Sequence, residues 1–207
     1  MMSAETLAVF IPTFFFVSVT PGLCMTLALT LGMSIGLKRS LPMMWGELLG
    51  VGLVATLGIV GIAAMMLKFP TVFLVFKILG GLYLAWIGIE MWRSRGRLAI
   101  PETPDATVSI QPWDLAMRGF ITAVSNPKGW AFLLSLLPPF IDHSRPIGAQ
   151  LVIMLTIVLS MELGCLLAYA SGGQALRHLL LKQGNVRLLN RMTGSLMIGI
   201  GIWLILS

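Results

Sequence analysis

Charge is the scarcest property of this chain: Asp, Glu, Lys and Arg make up only 11% of its 207 residues, against 57% hydrophobic. A water-soluble domain carries roughly a quarter of its residues as charges, most of them on its surface. A soluble fold is therefore excluded and lipid is the solvent, in keeping with a mean hydropathy of +0.93. Histidine and cysteine are nearly missing as well, with two residues of each. Cys24 and Cys165 sit in separate apolar runs, which argues against a disulfide framework or a metal cluster and for two unrelated buried thiols. The 14 methionines have no histidines beside them within the apolar runs, so they read as adaptable packing rather than copper ligands. A cleaved signal peptide is not the expectation either. Glu5 stands where a basic segment belongs, and the apolar stretch after it runs past the usual length.

The runs that are present show no period-two alternation. Helices rather than a closed barrel must then satisfy the backbone inside the membrane. At roughly 20 residues per span, the pattern predicts an all-α integral membrane protein of six transmembrane helices. No formal charge occurs between Glu5 and Lys38, too long a run for one span, and Thr20-Pro21-Gly22 falls near its middle. The first helix is therefore expected to be broken. A second run follows Pro42, carries Glu47 and ends at Lys68; a third runs from Thr71 to Met91, interrupted by Lys77. The fourth, over 117–141, contains Asn126-Pro127-Lys128. The fifth lies between Arg145 and Arg177 with Glu162 as its one charge, and the sixth closes the sequence, with Arg187 and Arg191 snorkelling from its first turns. Residues 93–114, rich in Arg and Pro, form the long solvated loop.

The loops after the first, third and fifth runs hold ten of the 14 basic residues. The positive-inside rule then places those loops in the cytoplasm and both termini on the other side of an inner membrane. This placement assigns the net charge of +6 to a membrane surface, not to nucleic acid. The halves also echo each other: Ser18-Val19-Thr20-Pro21-Gly22 resembles Val124-Ser125-Asn126-Pro127-Lys128. Residues 1–92 and 115–207 would thus form two inverted three-helix repeats, with helices 1 and 4 broken, in one transporter domain over 1–207.

Proline within a membrane helix frees backbone groups and exposes half-helix ends. It either makes a simple packed kink or lines a binding site, and a polar-Pro pair in each half favours the second. A half-helix N-terminus suits a substrate carboxylate. Lys128 is expected near the midplane, facing a cavity or a carboxylate, whereas Lys77 can reach the outer interface. Glu47 either snorkels to the inner interface or joins Glu162 as a partner for Lys128. Glu162 is far from both ends of its run, and Tyr169 follows seven residues on along the same face. Either glutamate could exchange protons. The Gly46/Gly50 spacing lets helices approach closely, inside the molecule or across a homodimer interface.

Pro21-Gly22 after the first helix, a Gly-rich second helix after Lys38-Arg39, and Asn126-Pro127-Lys128 in the fourth give the chain its likeness. It resembles the lysine-exporter/homoserine-threonine-resistance (LysE/RhtB) family of bacterial amino-acid exporters over essentially its whole length. The resemblance implies proton-driven efflux of amino acids or derivatives, with no bound cofactor. Where that family usually carries Pro-Gly-Pro, Leu23 stands in the third place, which predicts a softer first break. Pro21, Gly22, Glu47, Asn126, Pro127, Lys128, Glu162 and Tyr169 are the candidate substrate or ion-binding residues. The rival on a related scaffold is a divalent-metal or other ion exporter, although hard cations want more oxygen ligands than two glutamates supply. A membrane enzyme lacks its His/Asp/Glu cluster or Ser-base pair. A non-transporting scaffold leaves Lys128 and both prolines without a purpose.

Overall fold

A computed structural model of the chain describes residues 3–94, 111–137, 140–142, 145–181 and 183–206. Among these the long elements are all helices: α1 Ala4–Val19, α2 Leu23–Ile35, α3 Leu37–Lys68, α4 Pro70–Arg93, α5 Pro112–Val124, α6 Pro127–Leu136, α7 Ile147–Leu181 and α8 Gln183–Leu206. By length and apolar composition, Leu37–Gly61 and Ile147–Gly172 can each cross a membrane, and α1 with α2 forms a bent third candidate. Among the described residues the fold is thus all-helical, with apolar helices suited to a membrane.

The first break follows from local chemistry. A residue before proline is pushed out of the helical region, and Thr20 accordingly adopts an extended conformation at φ −70° and ψ 123°. Gly22 caps α2, which leaves the break at 55° to α1. Leu23 in place of a second proline therefore still permits a large bend. The second break is shorter: α5 stops at Val124, and α6 starts on Pro127, the residue type pre-organised for a first helical position. The Trp130 indole N–H donates to the Val124 carbonyl at 2.6 Å, satisfying one of the acceptors left over where α5 ends.

Several helix limits differ from the sequence expectation. Gly36, at φ +81°, turns the chain in a conformation side-chain-bearing residues avoid. As a result α3 starts at Leu37, ahead of Pro42, and Lys38 and Arg39 lie in its first turn. The stretch read as loop to residue 114 already turns helical at Pro112, with Asp114 favourably placed in the first turn of α5. At 35 residues α7 is about 50 Å long, well beyond a ~30 Å hydrocarbon core. It continues through Arg177 and His178, both expected in a loop, and α8 begins at Gln183.

In the bundle α4 lies along α8, α3 along α5, and α2 along α7; α1 also rests on α7, and α6 on α3. Glycine permits the closest approaches. A Cβ at Gly46 would collide with the Ala116 carbonyl, and one at Gly119 with the Met43 carbonyl. On the other pair, Gly88 opposes Gly194 and Gly81 opposes Gly201. The Gly46/Gly50 pattern thus serves packing within the chain. At the end of α4, Trp92 donates to Ser195 at 2.9 Å, and the Arg191 guanidinium lies 5.0 Å over its ring. Arg191 is therefore held against α4 as well as near the start of α8.

Candidate functional site

The two breaks meet. A cavity of about 70 Å³ takes its wall from Phe14, Val17 and Ser18 of α1, from Thr20 and Gly22 of the first break, and from Cys24 and Met25 of α2. Opposite these stand Glu47, Val51 and Val54 of α3, Ala123 of α5, and Asn126 of the second break. Gly129, Phe132 and Leu133 of α6 and Val158 and Glu162 of α7 complete it. A single water needs only ~10–15 Å³ of such space, so the cavity has room for several waters or a small solute. Its wall is mostly apolar, with a few polar groups concentrated at the breaks and the glutamates. That is the usual make-up of a small-molecule site.

Glu47 does not snorkel. It is 0% exposed, and neither carboxylate oxygen finds a hydrogen-bond partner among the described residues. The helix contact explains why: α5 presents Gly119 against the backbone of Met43 and Glu47, so α3 is covered there and its next inward side chain faces the cavity. Glu162 is half-buried on the facing α7. The two carboxyl groups and the Cys24 thiol lie within electrostatic reach of one another. Asn126 Nδ2 approaches Cys24 Sγ at 3.8 Å, a sulfur contact that joins the second break to the first turn of α2.

Four of the eight residues singled out from the sequence thus share the cavity wall: Gly22, Glu47, Asn126 and Glu162. Pro21 shapes the first break without being part of that wall. Pro127 and Lys128 occupy the first two positions of α6, but their side chains lie outside the described residues, as does that of Lys77. Tyr169 takes a different place from the one its helical spacing suggested. It is buried, and its hydroxyl donates to the Val19 carbonyl at 2.9 Å, tying the end of α1 to α7 behind the cavity.

Other residues were not singled out. Thr20 donates to the Phe16 carbonyl at 2.6 Å and pairs with Thr193 of α8 at 2.5 Å, so the first break is also anchored from the last helix. Thr20 stood in the motif already quoted, but nothing in spacing links it to a residue 173 positions away. Cys24, read as an unrelated buried thiol, lines the cavity; Cys165 packs in the core beside Leu166 and Tyr169. Among the described residues no three His, Cys, Asp or Glu side chains gather as a group able to hold a metal ion.

Comparison with known proteins identifies the family. Residues 15–207 match the family model described as LysE type translocator. An uncharacterized membrane protein of Vibrio cholerae is 26% identical over 187 residues, covering 90% of each chain. The homoserine/homoserine lactone efflux protein of Salmonella typhimurium is 27% identical over 184 residues, covering 89% of this chain and 88% of its own. The leucine efflux protein of an Enterobacter species is 28% identical over 194 residues, with 89% and 88% coverage. No solved structure matches the chain. With all but its first 14 residues inside the matched region, the chain belongs to the LysE-type translocator family.

Proposed function

We propose that this chain is a secondary-active exporter of amino acids or related small metabolites across the bacterial inner membrane, driven by protons. The observation that carries the reading is a cavity in which both helix breaks meet two glutamates from different helices. The efflux names of two relatives point the same way. In this reading the substrate ammonium sits between Glu47 and Glu162. Its carboxylate lies at the start of α2, where Gly22 offers no side-chain cap, or against Lys128. Its side chain packs on the apolar wall of Phe14, Val51 and Val54.

The same reading makes 1–92 and 115–207 inverted three-span repeats. A two-fold relation of that kind brings the third span of each half together and packs each broken span on the second span of the other half. The pairings α4 with α8, α5 with α3, and α2 with α7 support it, as does the reciprocal opposition of Gly81 and Gly88 to Gly201 and Gly194. Both termini then lie outside the cytoplasm. A reporter fused after Ser207 is expected to be active when it is an exported enzyme and silent when it is a cytoplasmic one; the opposite result overturns the orientation.

Proteoliposomes loaded with single radiolabelled amino acids test the function. Efflux accelerated by a pH gradient is expected for at least one of them. No efflux of any amino acid removes the function, and efflux indifferent to the gradient removes the coupling. Lys128→Ala is expected to reduce efflux of such a substrate with the protein level unchanged, and an unaltered rate would take Lys128 out of the site.

A further inference from the structure

We infer that the two cavity glutamates divide the work: Glu47 carries the exchanged proton, and Glu162 is the standing contact for the substrate ammonium. The inference rests on the exporter reading and deepens it. The division follows from how differently the two are housed. Glu47 is completely shut off from solvent, its two oxygens lack hydrogen bonds among the described residues, and Gly119 of α5 seals the backbone behind it. An unpaired carboxylate anion is strongly disfavoured in such a place. Among the described residues no cation lines the cavity beside it, so a proton is the partner its oxygens can take.

Glu162 on α7 is only half-buried, so water can reach it and it keeps its charge through the cycle more readily than Glu47. The groups that face Glu47 bear on the assignment. From α7 there is Glu162, from α2 the Cys24 thiol, from the second break the uncharged Asn126; α1, α5 and the described side chains of α6 bring no ionisable group to the cavity wall.

The coupling then needs no moving wire. With Glu47 ionised, two negative charges face the substrate ammonium and hold it. A proton arriving from outside binds a Glu47 oxygen and removes one of the two charges, so the substrate leaves outward. When the cavity reopens inward, an incoming ammonium competes for the site, and the Glu47 proton departs to the cytoplasm. One proton enters as one substrate leaves on this residue.

The test compares wild type, Glu47→Gln and Glu162→Gln in proteoliposomes, using an amino acid that the wild type exports. Two assays are run: exchange of labelled for unlabelled substrate at equal pH, and efflux against an imposed pH gradient. Glu47→Gln, a permanent mimic of the neutral acid, is expected to exchange substrate with a raised half-saturating concentration, while its efflux no longer responds to the gradient. Glu162→Gln is expected to raise the half-saturating substrate concentration in exchange on the order of 30-fold or more, the effect of unpairing a buried charge. If Glu47→Gln loses exchange while Glu162→Gln keeps exchange without the gradient response, the roles are reversed and the inference fails. If both variants keep the gradient response, or neither exchanges although both extract as monodisperse protein, it fails as well. A wild type that neither exchanges nor effluxes any amino acid instead removes the exporter reading beneath it.

Discussion

Replacing Gly119 with valine is expected to leave no extractable folded protein. A Cβ at this position would run into the Met43 carbonyl and sit 2.9 Å from the Glu47 amide nitrogen, both main-chain atoms of α3. A flexible side chain could swing away, but a helix backbone can only move as a body. The cost therefore exceeds the ~1–3 kcal/mol of ordinary overpacking. Gly46 makes the reciprocal approach to Ala116, so the same contact is sealed from both sides and cannot shift in one direction to escape. Because the contact joins α3 to α5 at the Glu47 backbone, parting them also disturbs the cavity wall at Glu47. Fluorescence-detected size-exclusion of a fusion protein checks this. The expected result is loss of the monodisperse peak for Gly119→Val and Gly46→Leu. A wild-type profile for either would contradict the described packing.

Gly129→Leu should behave in the opposite manner, with normal protein and little transport. Gly129 lines the cavity from α6, and a Cβ there meets nothing nearer than Asn126 Cβ at 3.8 Å, an ordinary contact. The fold therefore tolerates a side chain at this position. The added atoms enter a space of about 70 Å³ that the substrate needs. Efflux is expected to fall by roughly tenfold or more, equivalent to at least ~1.4 kcal/mol of lost binding. Gly129→Ala should fall between the two. Efflux unchanged in Gly129→Leu, at equal protein level, would mean that the substrate does not pass by the second break. The contrast between positions 119 and 129, ten residues apart and both glycine, separates a packing requirement from a requirement for space.

Much of this site is legible in the sequence because its signals are local. Proline and glycine impose their conformations on the residues next to them, so Thr20-Pro21-Gly22 and Asn126-Pro127 mark both breaks unaided. Charges are so rare in the apolar runs that Glu47 and Glu162 stand out, and the structure brings both to one cavity. What the sequence did not convey depends on partners far along the chain. Whether Glu47 reaches an interface or stays inside is decided by Gly119 on α5, and the choice is invisible from α3 alone. The same holds for Thr193, which reaches the first break from the last helix, and for Tyr169, whose seven-residue spacing from Glu162 suggested a shared wall. Its hydroxyl instead anchors the Val19 carbonyl. Helix limits are hidden in the sequence for another reason. Hydropathy marks apolar stretches, but α3 and α7 continue as helices past Leu37–Gly61 and Ile147–Gly172, and a basic stretch such as the one around Arg177 is as compatible with helix as with loop.

The central claim is that the space between the two breaks holds the transported molecule, and Cys24 offers the most direct measurement of it. With only two cysteines in the chain, Cys165→Ser leaves Cys24, on the cavity wall, as the one thiol. The rate at which a small thiol-reactive reagent modifies Cys24 is measured in membrane vesicles, with and without a saturating amino acid that the vesicles export. The account predicts that the transported amino acid slows the modification severalfold while a non-transported one has no effect. A rate indifferent to saturating substrate would place the transport path elsewhere in the molecule.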